Sequence, residues 1–138
     1  MSVKQLATIV DFNGSIGVRL GSRQLQPYII IYSKHRDCLD WLYDMHPEFS
    51  HPVQVNRKLH MIQVISLRGV KKILDDTLPY LQRLDETGEI ALKFCNSRLD
   101  HPTVPYSLGE LQMIRNIIIQ TSRPSAIKRR LTILEKWK

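Results

Sequence analysis

The segment from residue 15 to residue 32 constrains the fold most, because apolar and polar side chains alternate on both sides of a Gly-Ser turn. The apolar positions are Ile16, Val18, Leu20, Leu25, Ile29 and Ile31. The polar positions between them include Arg19, Gln24, Gln26 and Tyr28. A period of two is typical of strands with one buried face. Two such strands joined by a short turn predict a β-hairpin with a polar outer face.

Further elements follow in a regular order. A second, shorter hairpin is predicted over residues 51–65, around Asn56-Arg57-Lys58. Helices are predicted over residues 34–45 with Ser33 as N-cap, after Ser66, over 85–95, and over 108–120 behind a Ser107–Glu110 capping box. The predicted apolar stripe of the first of these helices consists of Cys38, Trp41, Leu42 and Met45. Hairpins and helices mixed in this way predict an α+β domain with helices on one face of an antiparallel sheet.

Composition narrows the class of protein. The 138 residues suffice for one domain, and the formal net charge is +7. Two cysteines are too few for a disulfide framework, so a reducing compartment is expected. They do not form a Cys-x-x-Cys pair, so the sequence does not predict a zinc site. No apolar run is long enough to cross a bilayer and no apolar signal core begins the chain. We expect an intracellular protein with a nucleic-acid rather than a membrane partner.

The basic excess is greatest at the end of the chain. Residues 124–138 carry five basic side chains and one acidic side chain. Lys128, Arg129 and Arg130 stand between apolar residues at helical spacing, which predicts a basic helical tail that follows a domain of residues 1–123. Such a tail is expected to add salt-sensitive phosphate binding.

Residues 6–16 read LATIVDFNGSI. Local propensity leaves two structures open, because Thr8-Ile9-Val10 suits a strand while Gly14 can close a helix. The segment resembles the LAGLIDADG motif of homing endonucleases and its usual Gly-Ser-Ile continuation. Four residues match identically: Leu6, Ala7, Asp11 and Gly14. Residues 27–42 and 64–81 also resemble the family's later elements, so the resemblance extends over roughly residues 4–122.

The resemblance implies a half-domain whose saddle-shaped antiparallel sheet sits on nucleic acid. It also implies that the motif helices of two half-domains pack together, so a chain with one motif forms a homodimer or pairs with a related LAGLIDADG subunit. The implied interface residues are Leu6, Ala7, Thr8, Val10, Asp11 and Phe12. Thr8 and Phe12 replace small residues, and the large Phe12 side chain is expected to alter the helix crossing or the partner.

The family's second motif acid binds a divalent metal ion, and here that position is Asn13. A neutral amide removes one ligand charge per subunit, so we expect no metal site and no cofactor, with Mg²⁺ relevant only to an active endonuclease. Asp11 points about 200° away around a helix and cannot substitute, which indicates a capping or hydrogen-bonding role. A lysine that the family often places nearby corresponds to Leu84, with Arg83 one residue away.

The resemblance turns the polar hairpin faces into candidate nucleic-acid contacts, since Arg and Gln suit guanine and adenine edges. The candidates are Arg19, Arg23, Gln24, Gln26, Tyr28, Lys34, Arg36, Gln54, Asn56, Arg57, Lys58, Lys128, Arg129 and Arg130.

The function expected is binding of DNA or structured RNA with cleavage lost or impaired, as in a maturase or a ribonucleoprotein such as an organellar ribosome. One alternative is a magnesium-dependent endonuclease represented by an Asp-to-Asn variant. Another is a structural module that uses the motif helix for assembly. An organelle or a bacterial or archaeal cytoplasm is the expected location.

Overall fold

A computed structural model describes residues 2–21 and 23–138. The elements are α1 (Val3–Asn13), β1 (Gly14–Leu20), β2 (Leu25–Ser33), α2 (Arg36–Met45), β3 (Val53–Asn56), β4 (Leu59–Val64), α3 (Leu67–Thr77), a 3-10 turn (Leu78–Tyr80), α4 (Asp85–Asp100), α5 (Leu108–Thr121) and α6 (Pro124–Glu135). The four strands form one antiparallel sheet in the order β1-β2-β4-β3. The predicted α+β class and both hairpins are confirmed.

The LATIVDFNG segment is helical, and the helix passes directly into β1. Ser2 and Gln5 form a capping box that stabilises the start of the helix. The helix forms despite the β-branched residues that follow. Gly14 ends α1 in an extended conformation, with its backbone against β2. A Cβ at Gly14 would lie 2.6 Å from the Val10 carbonyl oxygen and 3.0 Å from that of Ile30. The junction therefore requires glycine for close approach rather than for a left-handed conformation.

The helices cover one face of the sheet. Ile16, Ile29 and Ile62 point into this face and are at most 1 % exposed. They meet the inner side of α1 and the central positions of α3, α4 and α5, including Leu6, Leu74, Phe94 and Ile117. Burial of these side chains provides the main driving force for the fold. The opposite face of the sheet carries no helix and is left for contacts outside the domain core.

Two predicted N-termini in the second half are confirmed by their caps. The Ser66 hydroxyl accepts from the Gly69 N–H at 3.0 Å, and Ser107 and Glu110 form the reciprocal capping box. Helix α4 runs to Asp100 rather than ending near residue 95. Phe94, Cys95 and Arg98 are buried in its last turns, and this packing extends the helix.

Helix α2 differs from its prediction. It begins at Arg36, and Ser33 is not its N-cap but accepts a hydrogen bond from the backbone N–H of His35 at 3.0 Å. The predicted stripe is right at Leu42, which is buried, and wrong at Cys38, Trp41 and Met45, which are exposed. Leu39 is buried in their place. The main contacts of the helix are with β4 and β2, so a narrow buried stripe of Leu39 and Leu42 is enough to pack it.

The basic tail packs on the rest of the chain as α6. It contacts α5 and β1, and Leu134 belongs to the common core. The ring of Trp137, just beyond α6, meets Tyr106 edge to face with centroids 5.2 Å apart. Packing is therefore continuous across the expected boundary at residue 123. No helix among the described residues has the length and apolarity needed to cross a membrane.

Candidate nucleic-acid interface

The end of α1 holds the position that the motif assigns to a metal-binding acid. Asn13 is exposed there, and its amide nitrogen lies 3.5 Å from the carbonyl oxygen of Tyr32, the outer limit for a hydrogen bond. The position therefore carries a neutral and weakly held amide at the junction of α1, β1 and β2.

Asp11 is the acid nearest to Asn13 along the chain, and backbone N–H groups of the same chain donate hydrogen bonds to its carboxylate. Its carboxylate accepts from the N–H groups of Gln82 at 2.8 Å, Arg83 at 3.0 Å and Leu84 at 3.0 Å. Burial raises the pKa of Asp11, but these hydrogen bonds and the Arg83 charge outweigh burial and hold it below the ordinary value of 3.8. Asp11 therefore anchors the start of α4 to α1, the hydrogen-bonding role indicated by its position in the helix, and does not face a partner.

Arg83 places a permanent positive charge at the same junction. Its Nε donates to the Asp11 carbonyl oxygen at 2.8 Å and its Nη2 to the Gly14 carbonyl oxygen at 2.7 Å. These carbonyls lie at the negative end of α1, where a cation is favoured. We refer to the contacts that link Asp11, Gly14 and residues 82–84 as the α1 clasp.

The end of α1, with Asn13 and the α1 clasp, does not fit a divalent metal ion. Such an ion requires anionic oxygen ligands with free lone pairs. Asn13 is neutral, the Asp11 carboxylate is already saturated, and the Arg83 guanidinium would repel a second cation. Over residues 2–21 and 23–138, no three His, Cys, Asp or Glu side chains are grouped so that they can hold a metal ion.

The helix-free face of the sheet brings together three of the predicted contact residues. Arg19 of β1 lies opposite Gln26 of β2, and its guanidinium carbon is 5.8 Å from the centroid of the Tyr28 ring. A Cβ at Gly17 would come within 2.5 Å of the Tyr28 hydroxyl, so glycine leaves room for that ring. The result is a polar surface with donors, acceptors and an aromatic ring.

Gln63 of β4 completes this surface and was missed from the sequence. Its side-chain oxygen accepts from Arg19 Nη2 at 2.8 Å, a contact that spans β2. The polar residue within the alternation of residues 59–64 was a usable signal, but only the strand order places it beside Arg19. The Arg19 guanidinium is thus held over the sheet and remains exposed to a ligand.

The second hairpin presents its predicted contact residues in different ways. Arg57 and Lys58 are exposed at the turn. The Asn56 side chain, in contrast, accepts from the Lys58 N–H, which shapes the turn. Gln54 pairs with His60 on the helix-facing side of the sheet, and its amide donates to the Asn56 carbonyl oxygen. Because side chains alternate between faces, Gln54 does not belong to the surface that contains Arg19.

The other predicted contacts are distributed around this surface. Arg23 and Gln24 are exposed in the β1–β2 turn, and Lys34 is exposed after β2. Arg36 is exposed as well, and its Nε lies 3.8 Å from the Asp40 carboxylate, a pair that solvent screens.

The acidic residues avoid the part of the chain that contains the strands. Residues 12–36 and 49–74 contain all four strands and no Asp or Glu, although the chain has 13 acids. The same two stretches contain nine lysines and arginines. Five of these nine lie in the two hairpins or directly after a strand, namely Arg19, Arg23, Lys34, Arg57 and Lys58. Each hairpin is therefore cationic, a distribution suited to a polyanion.

The predicted subunit interface divides into two sets. Leu6, Ala7 and Val10 are at most 1 % exposed and pack in the chain's own core, so their assignment to the interface is wrong for a folded subunit. Thr8 and Phe12 lie one turn apart on the outer side of α1, and Phe12 is 82 % exposed. This outer side is the part of the motif helix available to a partner.

In the tail, Arg130 has a different role from the one predicted. Its guanidinium donates to the Ser122 hydroxyl and to the Val18 carbonyl oxygen, which fastens α6 to β1. Lys128 and Arg129 are exposed and remain available to phosphates.

Comparison with known proteins identifies the fold. No protein-family model and no curated protein matches the chain. The solved structure of the homing endonuclease I-CvuI in complex with the I-CreI target superposes with a TM-score of 0.78 at 16 % identity, over 98 % of this chain and 93 % of the other. The homing endonuclease I-TnaI superposes with a TM-score of 0.73 at 16 % identity, over 100 % and 99 %.

A longer relative shows the same unit as part of a larger chain. The LAGLIDADG homing endonuclease I-SmaMI, bound to cleaved DNA, superposes with a TM-score of 0.73 at 12 % identity, over 96 % of this chain and 48 % of the other. The I-TnaI superposition includes α6, so the tail has a counterpart in the relatives. From helix α1 to helix α6, this chain has the fold of the LAGLIDADG homing endonucleases.

Proposed function

We propose that this protein binds nucleic acid through the helix-free face of its sheet and does not cleave it. The observation that carries the proposal is the contrast between two parts of one molecule: a cationic, acid-free sheet and an α1 clasp without a free carboxylate. The fold supports it, since I-CvuI and I-SmaMI are described in complexes with DNA.

The proposed contacts follow from the chemistry of the surface. Arg19, Gln26 and Gln63 provide donors and acceptors for base edges, while Arg57 and Lys58 at the second turn suit phosphates. Duplex DNA is the proposed partner. A role with structured RNA, as in a maturase or ribonucleoprotein, is the competing outcome of the binding experiment.

The proposed loss of cleavage is based on the lack of a free carboxylate at Asn13 and in the α1 clasp. Metal-dependent strand scission uses an ion that polarises the phosphate and activates water. I-CvuI was crystallised with DNA targets in the presence of Mg in one structure and of Ca in another. Here the position of the acid is an amide, and the Arg83 guanidinium is hydrogen-bonded to the carbonyl oxygen of the adjacent Gly14.

The test is a cleavage and binding assay in Mg²⁺ with the unaltered protein and with Asn13→Asp. Because Arg83 also holds the site, we expect that neither protein cuts and that both bind a duplex library. Cleavage by the unaltered protein would overturn the proposal. Cleavage by Asn13→Asp alone would agree with loss of cleavage in the unaltered protein, but it would contradict the role of Arg83 and identify an endonuclease disabled by one substitution.

The binding arm compares Arg19→Ala with Arg115→Ala, an exposed arginine on α5 away from the sheet. Loss of one base-edge contact is expected to weaken duplex binding by about tenfold or more in the first variant only. Equal binding by both variants would contradict a role for the sheet face, and binding to RNA alone would replace the proposed partner.

A further inference from the structure

A half-open cavity lies beside the sheet rather than on it. It encloses about 780 Å³ between the β1–β2 turn, the start of α3, the end of α4 and the loop that precedes α5. Its walls include Arg23, Arg68, Arg98 and the aromatic residues Tyr106 and Trp137. This volume lies within the range of small-ligand sites and exceeds the needs of a bound ion.

The charge of the cavity is positive. None of the described side chains that line it is acidic. Arg23 and Arg68 are exposed at its rim and form no ion pair within the part of the chain that the structure describes. Two free guanidiniums at one rim suit the oxygens of a phosphate group.

Arg98 has a different function at the base of the cavity. Its side chain is 10 % exposed, and Nη1 lies 3.3 Å from the Glu110 carboxylate. Its guanidinium carbon lies 4.3 Å from the centroid of the Tyr106 ring, and Nη2 donates to the Val104 carbonyl oxygen at 3.0 Å. Arg98 therefore keeps the wall in place, and binding of an anion is left to Arg23 and Arg68.

The aromatic wall is held by contacts with the core and with β2. The Tyr106 hydroxyl accepts from the Leu25 N–H at 2.9 Å, and its ring stacks on Phe94 with centroids 6.1 Å apart. Trp137 meets Tyr106 edge to face and lines the cavity while remaining partly exposed. A positive rim beside a fixed aromatic ring is the arrangement with which proteins hold unpaired bases.

We infer that this cavity binds one unpaired nucleotide, with its phosphate at Arg23 and Arg68 and its base against Trp137. A concave site of about 780 Å³ has the volume of a small-ligand site, which suits a single nucleotide rather than a duplex. Arg23 belongs to the first hairpin, so a strand that leaves the sheet face can enter the cavity. To that extent the inference rests on the proposed function. It adds that the nucleic acid bound on the sheet has a single-stranded end, and that this end enters the cavity.

The first experiment measures the site without a polymer. The chain has two tryptophans, so Trp41→Phe leaves Trp137 as the only indole. Adenosine monophosphate is expected to quench its fluorescence saturably, and Arg68→Gln in the same background to raise the apparent Kd at least about fivefold. The matched control is Arg115→Gln. Absence of saturable quenching, or equal effects of the two arginine variants, would reject the site.

The second experiment uses a labelled duplex with and without a three-nucleotide overhang. The unaltered protein should prefer the overhang by about tenfold, and Arg68→Gln should lose the preference. Duplex binding without any preference would reject the cavity and leave the proposed function intact. Quenching by the mononucleotide in a protein that binds no duplex would support the cavity and reject the proposed function. Unchanged circular dichroism of the variants establishes that they are folded.

Discussion

At the scale of single residues, two positions of the motif differ in how much the sequence alone reveals about them. The replacement of an acid by Asn13 is visible in the sequence and needs no structure. The role of Asp11 is only half visible, because helical geometry indicates that its carboxylate points away from Asn13 but cannot name residues 82–84 as its donors. Those donors lie 71–73 residues away along the chain, beyond the reach of any local pattern.

Replacing Asp11 by Asn is expected to lower the free energy of unfolding at pH 7 by about 2 kcal/mol, since an amide loses the charge-assisted hydrogen bonds. Chemical denaturation monitored by circular dichroism measures this change. Asp37→Asn is the control, because Asp37 is an exposed residue in the first turn of α2. Equal stability of the two variants would show that the α1 clasp contributes little.

The same substitution should change the pH dependence of stability. The pKa of Asp11 lies below its ordinary value of 3.8, so the stability it contributes is present above that value and is lost as pH falls through the folded-state pKa. The difference between the unaltered protein and Asp11→Asn should therefore shrink below about pH 4. A constant difference from pH 7 down to about pH 2 would contradict the assignment.

At the scale of elements, sequence patterns located the hairpins and most helix starts because their signals are local. Alternation in residues 15–32 and the serine caps at Ser66 and Ser107 are such signals. The buried side of α2 was predicted incorrectly at three of four positions. Cys38, Trp41 and Met45 fit helical spacing with Leu42 as well as Leu39 does. Which stripe is covered depends on where α2 lies against the sheet, and this is decided by tertiary packing.

The outer side of α1 carries a prediction about assembly. We expect the protein to be a dimer through this side, and Phe12→Glu to shift it to monomer, since an exposed Phe ring is the largest apolar group there. Light scattering after size exclusion measures the mass. Leu108→Glu is the matched control, with an apolar side chain that is 76 % exposed on α5. A monomeric unaltered protein, or dissociation by both variants, would contradict the prediction.

Helix α6 separates a structural arginine from a binding arginine. Arg130→Gln removes two hydrogen bonds and is expected to lower the free energy of unfolding by about 1–2 kcal/mol. Arg129→Gln, on the exposed side, should leave stability unchanged and reduce the salt dependence of nucleic-acid binding by about one unit of slope. Thermal denaturation and binding titrations at several salt concentrations measure both. The reverse pattern would show that the tail packs differently.

At the scale of the whole molecule, the position of the acids is more informative than the net charge. The excess of basic residues is greatest in the tail, yet one of the three central basic residues of α6, Arg130, bonds to β1 and holds the helix in place. The hairpins have fewer basic residues per unit length but no acids to neutralise them. The sequence contained this signal, but it acquires meaning only when the acid-free stretches are found to form one sheet.

The α1 clasp also has a consequence for the order in which the chain folds. It joins Asp11 to residues 82–84, so all four strands, α2 and α3 lie in the loop that it closes. Closing so long a loop is unfavourable until the intervening elements have formed. The clasp should therefore form after the rate-limiting barrier. Substitutions at Asp11 would then accelerate unfolding and leave the refolding rate unchanged.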